Sequence, residues 1–122
     1  MYPLRFHPSL PRRWPGFPRH QQMLMIANEL NRAKNSITGQ DYAEAANAYE
    51  RAFELVDLTV ESVSGTLRYE LLRFREVLAG VYLNLTATTG AGETKKPESW
   101  QKLEPLIKIL VSMDKNAYAA LF

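Results

Sequence analysis

From Gln21 onward, apolar side chains return every three or four residues: Met23, Ile26, Ala27, Leu30, Ala33 and Ile37. That spacing places them on one face of an α-helix, and no stretch of the chain shows the two-residue alternation from which a strand is built. Breaks in the period divide the chain into segments. Gly39 reads as a stop, and Asp41 followed three residues later by Glu44 reads as an N-cap with a reciprocal partner, so a tight helical hairpin is expected. The second helix, about Tyr42 to Val63, carries Ala45, Ala48, Tyr49, Ala52, Leu55, Val56 and Thr59 as one stripe. Its small members let another helix come close.

Ser64 and Gly65 punctuate that helix, and a third is expected from about Thr66, with Leu67, Leu71, Phe74, Leu78, Val81, Tyr82 and Leu85 at helical spacing. Residues Thr86 to Pro97, TATTGAGETKKP, read as a long polar loop. Pro105 complicates the fourth helix. Either a short turn around Trp100 precedes the main helix, or that helix starts with Glu104 and Pro105 in its first turn, where a missing amide does no harm. Leu103, Leu106, Leu110 and Met113 then line its core side, and Ile107 and Ile109 widen it. The expected class is all-α: an antiparallel up-and-down four-helix bundle over residues 22–122, preceded by a proline-rich arm over residues 1–21. At 122 residues the chain is long enough for one core.

The arm differs from the rest in kind. Residues 1–20 hold five of the seven prolines, and the prolines push each preceding residue away from helix, so an extended or polyproline-like backbone is expected. Arg5, Arg12, Arg13 and Arg19 precede the first acidic residue, Glu29. The net charge of +2 therefore belongs to the arm, and the body is mildly acidic. Arg12, Arg13, Trp14 and Phe17 combine charge with stacking surface, but four arginines without a lysine cluster fall short of a nucleic-acid footprint. Three readings of the arm stand side by side: an upstream extension ahead of Met23 and Met25, a solvated arm, or a lid whose Phe6, Trp14 and Phe17 dock on the bundle.

Chemistry-bearing motifs are missing. Cysteine is absent, which removes disulfides, thiolate metal sites and thiol nucleophiles, and suits a reducing cytoplasm. His7 and His20 both lie in the arm, away from rigid neighbours, and read as solvated. No metal-binding helix motif or calcium loop occurs, and GAGETKK, residues 90–96, lacks both the spacing and the preceding strand of a phosphate-binding loop. No cofactor is expected. No apolar run nears the ~18 residues of a membrane span, and no apolar segment follows the basic start as in a secretory signal. The chain reads as a soluble, cytoplasmic, non-enzymatic protein.

Two resemblances sharpen this. AKNSITGQD at Ala33 to Asp41, ERAFELV at Glu50 to Val56 and GTLRYELLRFREVLAGVYLNL at Gly65 to Leu85 resemble segments of the flagellin export chaperone family, the FliS type. In the last of these, Leu67, Leu71, Phe74 and Leu78 fall on the family's apolar steps, and the likeness extends over roughly residues 24–120. The resemblance implies a helical cytoplasmic chaperone that wraps the aggregation-prone helical end of a flagellin-like export substrate, without ATP or metal. It also implies an N-terminal segment that covers the substrate site. Separately, GQDYAEAANAYERAFEL, residues 39–55, is similar to half of a tetratricopeptide motif through Tyr42, Ala45, Tyr49 and Ala52. That resemblance implies a helical scaffold or a homo-oligomerising module.

The residue pattern itself points to a protein partner through surplus apolar surface. Leu72, Val77 and Leu83 lie off the main stripe of the third helix, and Ile107 and Val111 off that of the fourth. Exposed together, these five would form a groove for amphipathic helices. Under the lid reading, removing residues 1–20 would strengthen partner binding.

Overall fold

The computed structural model describes residue 6, residues 8–90 and residues 99–122, and for residues 86–90, 99 and 100 it describes the backbone alone. Every regular element among the described residues is helical: α1 (Leu10–Arg13), a 3-10 turn (Trp14–Gly16), α2 (Arg19–Thr38), α3 (Tyr42–Ser62), α4 (Gly65–Gly90), α5 (Ser99–Val111) and α6 (Lys115–Leu121). Helix α2 packs against α3 and α5, α4 packs against the same two, and α6 folds back onto α2 and α5. The core runs through the centre of this bundle, with Ile26, Leu30, Tyr49, Val56, Leu71, Leu78, Leu103 and Leu110 inside it.

The hairpin between α2 and α3 forms where the sequence places it, with a different division of labour. Gln40, rather than Gly39, adopts the left-handed conformation, with φ of 61°. The Asp41 carboxylate accepts the amide of Glu44 at 3.1 Å, as an N-cap should. The return half of the box is missing, because Glu44 turns its carboxylate to Arg51. The Asp41 amide instead donates to the carbonyl of Ser36 at 2.8 Å.

Four expectations need correction. The arm is not extended over residues 10–16, because Pro11 and Pro15 each stand in the first turn of a short helical segment. Amides in a first turn have no intrahelical acceptor, so a proline there removes nothing the helix uses. Helix α4 continues to Gly90, through the first five residues of the expected loop, while residues 91–98, with most of GAGETKK, lie outside the described residues, as does His7. Pro105 sits inside α5, so neither reading of that segment holds. A further short helix, α6, closes the chain, capped by the Asp114 carboxylate, which accepts the amides of Asn116 and Ala117 at 2.9 and 3.1 Å.

The arm is bound by its largest residue. Trp14 is among the largest fully buried side chains of the protein, and Leu10 is buried with it. The Trp14 indole donates to the hydroxyl of Thr59 on α3 at 3.2 Å, and that hydroxyl donates in turn to the Leu55 carbonyl at 2.8 Å. From α2, the Gln22 amide donates to the Trp14 carbonyl at 2.9 Å. One residue thus joins the arm to α3 through its indole and to α2 through its backbone carbonyl. Replacing it removes a large apolar volume from the core, so Trp14→Ala should lower the unfolding free energy by about 3–5 kcal/mol. Trp14→Phe, which keeps much of the apolar volume but leaves Thr59 without its donor, should cost less, and chemical denaturation of both variants checks the order.

Candidate functional site

A helix turns by about 100° per residue, so the buried stripe of α4 fixes what its other faces meet. Leu71, Phe74, Leu78, Val81 and Leu85 form that stripe. On one flank, Arg75 holds Asp57 of α3 at 2.6 Å and lies over the ring of Phe53, while Tyr82 meets Tyr49 and Phe53 edge-on at 5.7 and 5.8 Å. This flank is the seam with α3. On the other flank, Glu70, Arg73 and Val77 face α5 across a cleft.

The five residues expected to form one groove are divided by this geometry. Leu72 and Leu83 lie on the outer face of α4, eleven residues and about three turns apart, with Leu83 63% exposed. Val77, on the flank toward α5, is 52% exposed. Ile107 and Val111 are buried in the core with Leu103 and Leu110, on the side of α5 that packs against α2. The α2 side of α5 is marked independently by the ion pair of Lys34 with Glu104. Ile109, which the spacing placed with the core, is instead 52% exposed. It stands opposite Val77.

Between those two residues lies a cleft of about 400 Å³. Its apolar walls are Phe74 and Val77 from α4, Leu106 and Ile109 from α5, and Met113 from the turn that follows α5. Polar groups border it: Glu70 and Arg73 on α4 and Ser112 just past the end of α5. Ser112 donates its hydroxyl to the Ile109 carbonyl at 2.7 Å and so has its own acceptor. Arg73 donates to the Tyr69 hydroxyl at 3.3 Å with its guanidinium over the same ring, contacts that hold its pKa above the ordinary arginine value. A cleft with these walls suits an apolar occupant with polar edges.

The three aromatic residues proposed as a lid lie elsewhere. Trp14 belongs to the core, Phe17 packs edge-on against it at 5.9 Å, and the Phe6 amide donates to both carboxylate oxygens of Glu54 at 3.1 Å. All three sit on the α2–α3 side of the bundle, and none lines the α4–α5 cleft. Beside Phe6 is the densest charge cluster among the described residues. Arg51 donates to Glu29 at 2.9 Å and to Glu44 at 2.6 Å, Arg32 donates to Glu29 at 3.0 Å, and the Arg51 guanidinium covers the Phe6 ring. Its charges are paired, and it ties α2 to α3 rather than offering a ligand site. No group of three or more metal-binding side chains occurs among the described residues, and no helix there is long and apolar enough to cross a membrane.

This cluster sets an acid sensitivity. The hydrogen bond from Arg51 holds the Glu44 carboxyl below its ordinary value of 4.5, against the opposing effect of its partial burial. Burial disfavours the Arg51 charge, yet its hydrogen bonds to Glu44 and Glu29 more than offset this and raise its pKa. For Glu44 the folded pKa lies below the unfolded one, so its contribution to stability is complete at pH values above the ordinary carboxylate range. It is lost as the pH falls through the lowered value. Denaturation curves of wild type and Glu44→Gln should therefore differ at pH 7 and converge as the solution is acidified through the lowered Glu44 value.

Comparison of the chain with family models, with curated proteins and with solved structures returns no match.

Proposed function

We propose that this protein is a non-enzymatic helical chaperone or adaptor that holds an amphipathic helix of a protein partner in the cleft between α4 and α5. The observation that carries the reading is the pairing of Val77 and Ile109. Two aliphatic side chains, each about half exposed, face each other across an apolar-walled cleft of about 400 Å³. A helix presenting apolar residues at three- and four-residue spacing would cover both at once. In this reading α2 to α5 are the four members of an antiparallel up-and-down bundle. The arm is a strap on its far side, and the protein works in the cytoplasm without metal or nucleotide.

The resemblance to flagellin export chaperones names the occupant: the helical end of a flagellin-like export substrate, kept from aggregating until it is exported. The test is titration of a peptide from such a helical end into isotopically labelled protein. Chemical-shift changes should centre on Val77, Leu106 and Ile109. Val77→Glu and Ile109→Glu should each weaken binding by about tenfold or more, while changing stability by only about 0.5 kcal/mol, because both sites are on the surface. Changes confined to other faces would reject the cleft.

A second reading, a tetratricopeptide-like scaffold that self-associates, draws on a different surface. Tyr69 and Leu72 are exposed on the outer face of α4, away from the cleft. Under that reading sedimentation would show a dimer that Leu72→Asp dissociates, with the cleft variants without effect.

A further inference from the structure

We infer that the helix bound in the α4–α5 cleft carries one acidic and one basic residue, three or four positions apart, along the edge of its apolar face. This rests on the helix-binding reading above and adds the chemistry of the partner to it. Glu70 and Arg73 stand three residues apart on α4, where opposite charges normally meet across a helical turn. Here they do not pair. Arg73 turns to the phenol of Tyr69, Glu70 has no ion-pair or hydrogen-bond partner among the described residues, and both border the cleft.

The remaining polar residue lining the cleft offers neither of them a charge, since Ser112 is neutral and its hydroxyl is given to the Ile109 carbonyl; Glu76, which acts on Arg73 electrostatically, does not line the cleft and forms no ion pair with it. The cleft edge therefore presents one anion and one cation about one helical turn apart, beside apolar walls that stay open. An occupant whose own edge carries a cation and an anion at matching spacing forms two ion pairs as its apolar face is covered. One with two like charges gains one pair and meets one repulsion. Because a helix can enter in either direction, the order of its two charges is not specified, whereas their opposite sign is.

Three synthetic amphipathic peptides test this. They share one leucine face and differ only at two edge positions four residues apart: Glu with Lys, Glu with Glu, or Lys with Lys. Isothermal titration at low salt should rank the mixed peptide first on the wild-type protein, by about three- to tenfold, since edge ion pairs and like-charge contacts are each worth modest amounts. Glu70→Arg should shift first place to the Glu/Glu peptide, and Arg73→Glu should shift it to the Lys/Lys peptide. Both sites are exposed, and circular dichroism verifies that the variants keep their helices. Binding of all three peptides with the same ranking on all three proteins would overturn the inference and leave the helix-binding reading standing. Failure of every peptide to bind any of the proteins would overturn both.

Discussion

The buried indole of Trp14 is the contact on which the arrangement of this protein turns. A tryptophan side chain is the largest apolar load a single residue can bring to a core, and its one N–H must find an acceptor when buried. Thr59 supplies that acceptor from within α3, at a position where a hydroxyl can also donate to the carbonyl one turn earlier. The Gln22 amide, in the first turns of α2, closes the arrangement by donating to the Trp14 carbonyl. Three chain segments are thereby fixed to one another at a single residue. Leu10 and Trp14 bring the proline-rich stretch that precedes α2 into the core, and Pro11 and Pro15 mark first turns there.

Two consequences follow for the surface. With the arm on the α2–α3 side, Phe6 lies between Glu54 and Arg51, and the polar cluster of Arg51, Glu29 and Glu44 lies next to it. That side combines covered apolar surface with paired charges. The seam between α4 and α5 is different: Val77 and Ile109 remain exposed across it, and Glu70 and Arg73 do not pair with each other at its edge. Functional interest moves accordingly from the basic arm that dominates the sequence to the seam on the opposite side of the bundle.

Periodicity made the interior of the bundle legible. Ile26, Leu30, Ala33 and Ile37 on α2, Ala45, Ala48, Tyr49 and Ala52 on α3, and Leu71, Phe74, Leu78 and Leu85 on α4 are all buried, because a helix that repeats apolar residues with its own period must turn that face inward. The ends of elements were less legible. Asp114 carried the signal of α6 as a capping residue followed by helix formers, and the signal for α1 was obscured because prolines that break a helix interior are tolerated at its start. Pro105 inside α5 shows tertiary packing overriding a local preference: Leu103, Leu106, Ile107 and Leu110 are all buried on one continuous helix around it. The cleft was the least legible feature. Leu72, Val77 and Leu83 were recognisable as surplus apolar residues, but which of them faces α5 depends on which helix adjoins each flank of α4, and spacing within one helix does not encode that. Ile107 and Ile109 are two positions apart, about 200° around the helix, so only one of them can face the core.

The central claim, that the arm belongs to the core and leaves the α4–α5 seam as the open surface, is tested most directly by hydrogen exchange on the intact chain. The amide of Phe17, which donates to the Trp14 carbonyl at 3.1 Å, and that of Trp14, which donates to the Leu10 carbonyl, report on the arm; amides in the middle of α2 and α3 report on the bundle. If Trp14 locks the arm to both helices, its amides should exchange only through the same global opening that exposes α2 and α3, with the same dependence on denaturant. Exchange from the arm that is orders of magnitude faster and insensitive to denaturant would show a segment that opens by itself, and would contradict the account.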